Sequence, residues 1–327
     1  MTLQAVIELQ ENYEQLKKEQ WLDKQLRYVL ARSFVGSQHP FSGAVYQQTR
    51  QRIKDQLALF NQFSSPVRES IICLLMTHNR TSEQAISQLL EDYDQLINGG
   101  FRRSPYTYFA AYLLQFSKTN DKLAIIAKGK EIYQAIKQTH PFLTGEEDAP
   151  ITISLAQNSL LQKFPVTDIT DIMEKYYVSM NKIGFSKGDE LQFAAGNAVL
   201  LFQGYHPSII EEMMQMIQQF SLHRLPFRRE TYASIVFLTY LSTKKGIDFS
   251  KIVHLYEEIT QTCQLGFYKN LRTSLAMSLY IGSELQEYQK EEMDLLSLNT
   301  NFLLIQQEMA AMIATTTMIA ASTSSNN

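Results

Sequence analysis

Residues 81–114 read TSEQAISQLLEDYDQLINGGFRRSPYTYFAAYLL. Thr81 and Gln84 have the spacing of a capping box, in which a hydroxyl and a carboxamide satisfy backbone donors at a helix start. Ala85, Ile86, Leu89, Leu90, Tyr93, Leu96 and Ile97 then recur at the three- and four-residue intervals of one helical face. Gly99 and Gly100 stop that helix, because glycine enters the left-handed conformation without steric cost. Phe101 follows as a large apolar residue that plugs the turn, and a second helix runs on for about fourteen residues. The stretch is a pair of helices joined by a glycine break and an aromatic anchor.

The same wording recurs as KIGFSKGDELQFAAGNAVL from Lys182 and QLGFYKNLRTSLAMSLY from Gln264. The anchors are Trp21, Phe63, Phe101, Phe142, Phe185, Phe227 and Phe267, spaced by 42, 38, 41, 43, 42 and 40 residues. Gly100, Pro141, Gly184, Pro226 and Gly266 precede five of the seven, which ends one helix and aims the chain into the next. An aromatic stands eight residues before three anchors, at Tyr13, Tyr93 and Tyr177. Alanine stands nine residues after three, at Ala110, Ala194 and Ala276, where a small side chain lets helices approach. Pro207-Ser208 with Glu211 marks a further helix start. A lone pair cannot bury its apolar face, so neighbouring pairs must stack. The expected fold is all-α: a repeat or solenoid of about seven helix pairs with a ~42-residue period, in the range of HEAT and armadillo arrays. A closed α/α toroid is the alternative.

Composition narrows the function classes. With 327 residues, 45% hydrophobic and 19% charged, the chain can bury a substantial core. A net charge of −3 speaks against nucleic acid as a partner, since that binding needs a basic surplus. The first twenty residues alternate charge and lack the apolar run of a signal peptide. The nearest candidate for a membrane span, Met309 to Ala321, is too short and too weakly hydrophobic to cross a bilayer. Cys73 and Cys263 lie in apolar helical stretches and read as buried thiols in a reducing compartment, so the chain is expected in the cytoplasm. Residues 1–283 read as one helical-repeat domain, and 284–321, rich in Ala and Met, as a capping helix or arm with self-association as one use. Residues 322–327 read as a disordered tail.

The GF-type anchors, HPFLTGEED at 140–148, GFSKG at 184–188 and the Ala/Met-rich tail resemble an uncharacterised bacterial family, the domain-of-unknown-function family four-thousand-and-three of low-GC Gram-positive bacteria. The resemblance covers most of the chain and implies a helical fold in a bacterial cytosol, with no activity attached. INGGFRRSPYTYFAAYLL is also similar to the GGF-containing repeats of protein prenyltransferases and terpene cyclases. Their chemistry would require an aspartate-rich motif or an Asp/Cys/His zinc site, and the sequence has neither. The nearest acidic run, Gly145-Glu146-Glu147-Asp148, reads as a solvated turn and helix start.

No P-loop, GxGxxG, GxSxG, HExxH or CxxC occurs, and the six histidines lack metal-ligand spacing, so no catalytic residue, cofactor or metal is assigned. The phenylalanines and tyrosines read as core, although Tyr106, Tyr108 and Tyr112, with Phe109 and Phe116, are more aromatic surface than one stripe covers. The candidate binding residues stand two places after the anchors: Arg103, Lys187, Arg229 and Lys269, with Arg102 and Arg228 beside two of them. Stacking would line them up as a basic ridge suited to an acidic peptide or protein partner. Glu91, Asp92, Glu131, Glu174, Glu257 and Glu258 are the acids that could neutralise it. The function expected is a protein- or peptide-binding repeat module; the alternative is a toroid-like enzyme acting on an apolar or anionic small molecule.

Overall fold

The structure, a computed structural model, describes residues 2–19, 22–56, 65–119 and 121–285. The anchors Trp21 and Phe63, residues 286–321 of the expected arm and the tail 322–327 lie outside them. Fourteen α-helices and no strand occur among the described residues: α1 (Thr2–Glu19), α2 (Lys24–Ser33), α3 (Gly43–Gln56), α4 (Ser65–Thr77), α5 (Glu83–Asn98), α6 (Pro105–Leu114), α7 (Lys122–Thr139), α8 (Ala149–Gln157), α9 (Val166–Lys182), α10 (Asp189–Phe202), α11 (Pro207–Leu222), α12 (Tyr232–Lys245), α13 (Phe249–Thr262) and α14 (Lys269–Leu285). Short 3-10 turns at Glu146–Asp148 and Arg229–Thr231 lead into α8 and α12. No described helix is long and apolar enough to cross a membrane.

The chain forms two compact units. In the first (1–54, 63–81 and 254–327), α2 packs against α1, α4 and α14, so helices near the two ends of the described sequence are neighbours. Arg32 of α2 donates to the Ser278 carbonyl at 2.5 Å, and burial lowers its guanidinium to about 10. Gly282 of α14 leaves the space that this side chain fills. Glu69, fully buried in α4, accepts from the Tyr46 hydroxyl at 2.5 Å and from Arg68 at 2.8 Å.

The second unit (55–62 and 82–253) shows two kinds of helix. In α5, α9 and α11 only one stripe is buried. By contrast α6, α8, α10 and α12 are enclosed all round and carry no charged residue in their buried spans. Helices of one kind touch their own kind, α5 to α7 to α9 to α11 and α6 to α8 to α10 to α12, which makes two layers. Tyr106, Tyr108 and Tyr112 are all buried because α6 is packed on every side. Close approach has a visible requirement at Gly129 of α7: a Cβ there would meet Ile153 Cδ1 of α8 at 2.8 Å.

The glycine breaks behave as their chemistry demands. Gly100 and Gly184 take φ of 89° and 113°, and the following anchor amides turn back to helix carbonyls, Phe101 to Leu96 at 3.0 Å and Phe185 to Met180 at 3.2 Å. Where proline stands in that column the register slips. Proline cannot take positive φ, so α11 ends instead on Arg224 at φ 55°, and Leu225 N–H returns to the Phe220 carbonyl at 2.9 Å. The buried anchor there is Leu225, while Phe227 is half-buried against Phe185. In the last copy Leu265 is buried and Phe267 lies fully exposed. Helix starts also shift by a residue. Ser82, not Thr81, caps α5 by accepting from Ala85 N–H at 3.2 Å, and α11 starts at Pro207 without a side-chain cap.

Replacing Arg224 by glycine is expected to stabilise the protein by about 0.5–1 kcal/mol, since glycine holds positive φ without strain. Thermal unfolding measures this; a lowered midpoint would mean that Arg224 contributes through contacts rather than backbone shape.

Candidate functional site

The loops entering α6, α8, α10 and α12 carry most of the charged residues singled out by the sequence. Each loop is shaped locally. Ser104 caps α6 by accepting from Thr107 N–H at 3.2 Å, with Pro105 in the first turn. Gly188, at φ 152°, opens α10 ahead of Asp189 and Glu190. The ridge is only partly assembled. Arg229 donates to the Lys187 carbonyl at 3.1 Å, so those two neighbours meet. Arg103 lies near the Tyr93 phenol, which burial raises and Arg103 draws down, and Lys269 belongs to the first unit, where it opens α14.

The expected acidic partners are placed elsewhere: Asp92 pairs with Lys122, Glu174 with His140 and Glu258 with His254. They stand about ten residues before their anchors, which is about 15 Å back along a helix from the loops. Acids that open neighbouring enclosed helices take that role, Glu146 ahead of α8 and Glu190 in α10. Arg102 pairs with Glu146 at 3.9 Å and Arg229 with Glu190 at 3.6 Å, all four partly exposed, which makes each pair worth little in stability.

Inside this rim sits a carboxylate cluster that the sequence reading took for a solvated turn. Asp148 is only 2% exposed. Its Oδ1 accepts from Gln192 Nε2 and its Oδ2 from Gly145 N–H, both at 3.0 Å. Burial above all, with Glu147 and Asp189 adding, pushes Asp148 up to about 7, against the pull of Gln192 and Gly145. Burial and neighbouring carboxylates also raise Glu147 and Asp189. The Tyr106 phenol is held above its usual range by burial and by the same acids. No group of three His, Cys, Asp or Glu among the described residues is placed to hold a metal ion.

Beside the cluster, a cavity of about 20 Å³ is lined by Ile136, Thr139, His140, Met173, Tyr177 and Gln192, among others, room for one water molecule. His140 Nε2 lies 2.6 Å from Glu174 Oε2, and its ring rests on Tyr177 at 4.6 Å. Repeat logic held a signal for this spot. Tyr13 stacks on Tyr28 at 4.0 Å and Tyr93 on Tyr108 at 3.9 Å, each pair fifteen residues apart. Before the anchor Phe185, Tyr177 has Gln192 in that position, so a polar side chain replaces the stacking ring.

Phe142 is the other residue that the sequence misplaced. Expected as a turn plug, it is 99% exposed, in the same loop that holds Glu146 and Asp148.

The family model described as "Protein of unknown function (DUF4003)" matches residues 12–322. The chain is similar to "Uncharacterized protein YeaA" of Bacillus subtilis (strain 168), 21% identical over 270 residues, which span 80% of this chain and 78% of that one. No solved structure matches.

Proposed function

This chain belongs to the DUF4003 family of proteins of unknown function, and we propose that it is an interaction module that holds a protein or peptide segment on the loop surface entering α6, α8, α10 and α12. The reading rests on Phe142. A phenylalanine left wholly in water forgoes about 1.5–3 kcal/mol that burial would return, and large apolar residues ringed by polar groups are typical binding anchors. Arg103 and Lys187, exposed on the same surface, make no ion pair among the described residues, and they favour an acidic segment. We read the two layers of the second unit as stacked helix pairs of a repeat array, which would offer such loops in a row. A cytoplasmic setting fits the two free, buried cysteines.

A photo-crosslinking benzoylphenylalanine at position 142 should capture one discrete protein in cells. The same group at Leu123, 66% exposed on α7, should not. Adding Arg103→Glu and Lys187→Glu should weaken the capture. Phe142→Ser should change stability by no more than about 0.5 kcal/mol, because the side chain is solvent-exposed. Equal products at 142 and 123, or none, would overturn the reading.

The enzyme alternative draws on a separate observation, the three carboxylates raised together at Glu147, Asp148 and Asp189. An acid with a value near neutrality suits proton transfer. A small anionic or apolar compound that raises the melting temperature of the wild type and not of Asp148→Asn would favour it.

A further inference from the structure

Gln192 occupies a column that holds stacking tyrosines in two other copies, and it is fully buried. Its Nε2 donates to Asp148 Oδ1 at 3.0 Å and to Thr144 Oγ1 at 3.4 Å, while its Oε1 has no partner. A buried acceptor without a donor is costly. Asp148 has the complementary problem. No cation pairs with it among the described residues, and acids approach it from several sides: Glu147 on its own turn and Asp189 of α10. The Tyr106 phenol of α6 and the Tyr133 phenol of α7 complete its titratable surroundings. The nearby guanidiniums are engaged elsewhere, Arg102 on Glu146 and Arg229 on Glu190.

A proton on Asp148 removes its charge and can give Gln192 Oε1 a donor. We propose that Asp148 holds a proton, which it donates to Gln192 Oε1 after a half-turn of the Gln192 amide, and that this proton clasps the loop from His140 to Asp148, with Phe142, onto α10. Losing the proton places a further negative charge beside Glu147 and Asp189 and leaves Gln192 Oε1 unpaired again. The loop is then repelled from α10. At its other end the same loop is held by His140, whose Nε2 lies 2.6 Å from Glu174 Oε2. The consequence for partner binding rests on the docking role proposed for Phe142; the clasp itself does not.

Fluorophenylalanine at position 142, followed by fluorine NMR from about pH 5 to about pH 9, reads the clasp without any partner. The wild-type signal should titrate with a midpoint near 7. Asp148→Asn should abolish that step. Gln192→Leu should flatten the step, because α10 then offers the carboxyl no side chain to clasp; this variant decides the matter if Asp148→Asn does not fold. A flat wild-type signal, or a step unchanged in Asp148→Asn or in folded Gln192→Leu, would overturn the clasp. A step of the expected kind with no crosslinked partner at 142 would uphold the clasp and overturn the docking reading instead.

Discussion

Asp148→Asn should make the protein more stable at about pH 8, by about 1–4 kcal/mol, and nearly indistinguishable from wild type at about pH 4. The sign follows from linkage. The carboxyl rises from 3.8 to about 7 on folding, so the folded state binds the proton more tightly. Its contribution is fully present below the unfolded value and is lost as pH rises through about 7. Above that, the folded protein carries an ionised, buried carboxylate with other acids beside it, a cost that asparagine does not bear. The upper figure is the full shift converted to energy; loss of one of the two accepted hydrogen bonds subtracts about 1 kcal/mol. Urea denaturation at several pH values measures the difference. Curves for the two proteins that run parallel across the range would show that Asp148 does not titrate as its surroundings require.

Lys122→Met is expected to cost about 3–5 kcal/mol, the usual price of a buried carboxylate stripped of its cation. Asp92 is fully buried on α5, in the stripe formed by Leu89, Tyr93 and Leu96. Both of its oxygens lie 2.8 Å from Lys122 Nζ, and Gln88 donates at 3.1 Å. Burial raises its carboxyl even with these partners present. The double variant Asp92→Leu, Lys122→Met should recover most of the loss, since leucine continues the apolar stripe. The deficit of the single variant should shrink at low pH, where Asp92 can take up a proton. A double variant as unstable as the single one would mean that Lys122 acts through packing of its stem rather than through charge.

What was legible in the sequence was what local chemistry dictates. The α5 stripe, the breaks at Gly100 and Gly184 and the turn back at Phe101 and Phe185 depend on helical periodicity and on the freedom of one residue, and both can be read from neighbours in the chain. The column also failed for a local reason at Pro226, whose fixed φ excludes it from the left-handed position and hands the role to Arg224 and Leu225. The enclosed α6 was misjudged as too aromatic for one stripe because enclosure on every side is a property of packing, not of periodicity.

The candidate site was hidden for a different reason. Asp148 looks like a loop acid until Gln192, forty-four residues away, closes over it. The basic ridge looked neutralised by acids on the preceding helices, but Arg102 and Arg229 pair with Glu146 and Glu190 instead. The sequence by itself determined that the chain is all-helical and that glycine ends α5 and α9 at Gly100 and Gly184, because those follow from each residue's own conformational limits. Only the tertiary structure decided which acids are buried, which cations are paired and which anchor faces water, because burial and charge pairing are set by what distant segments bring alongside.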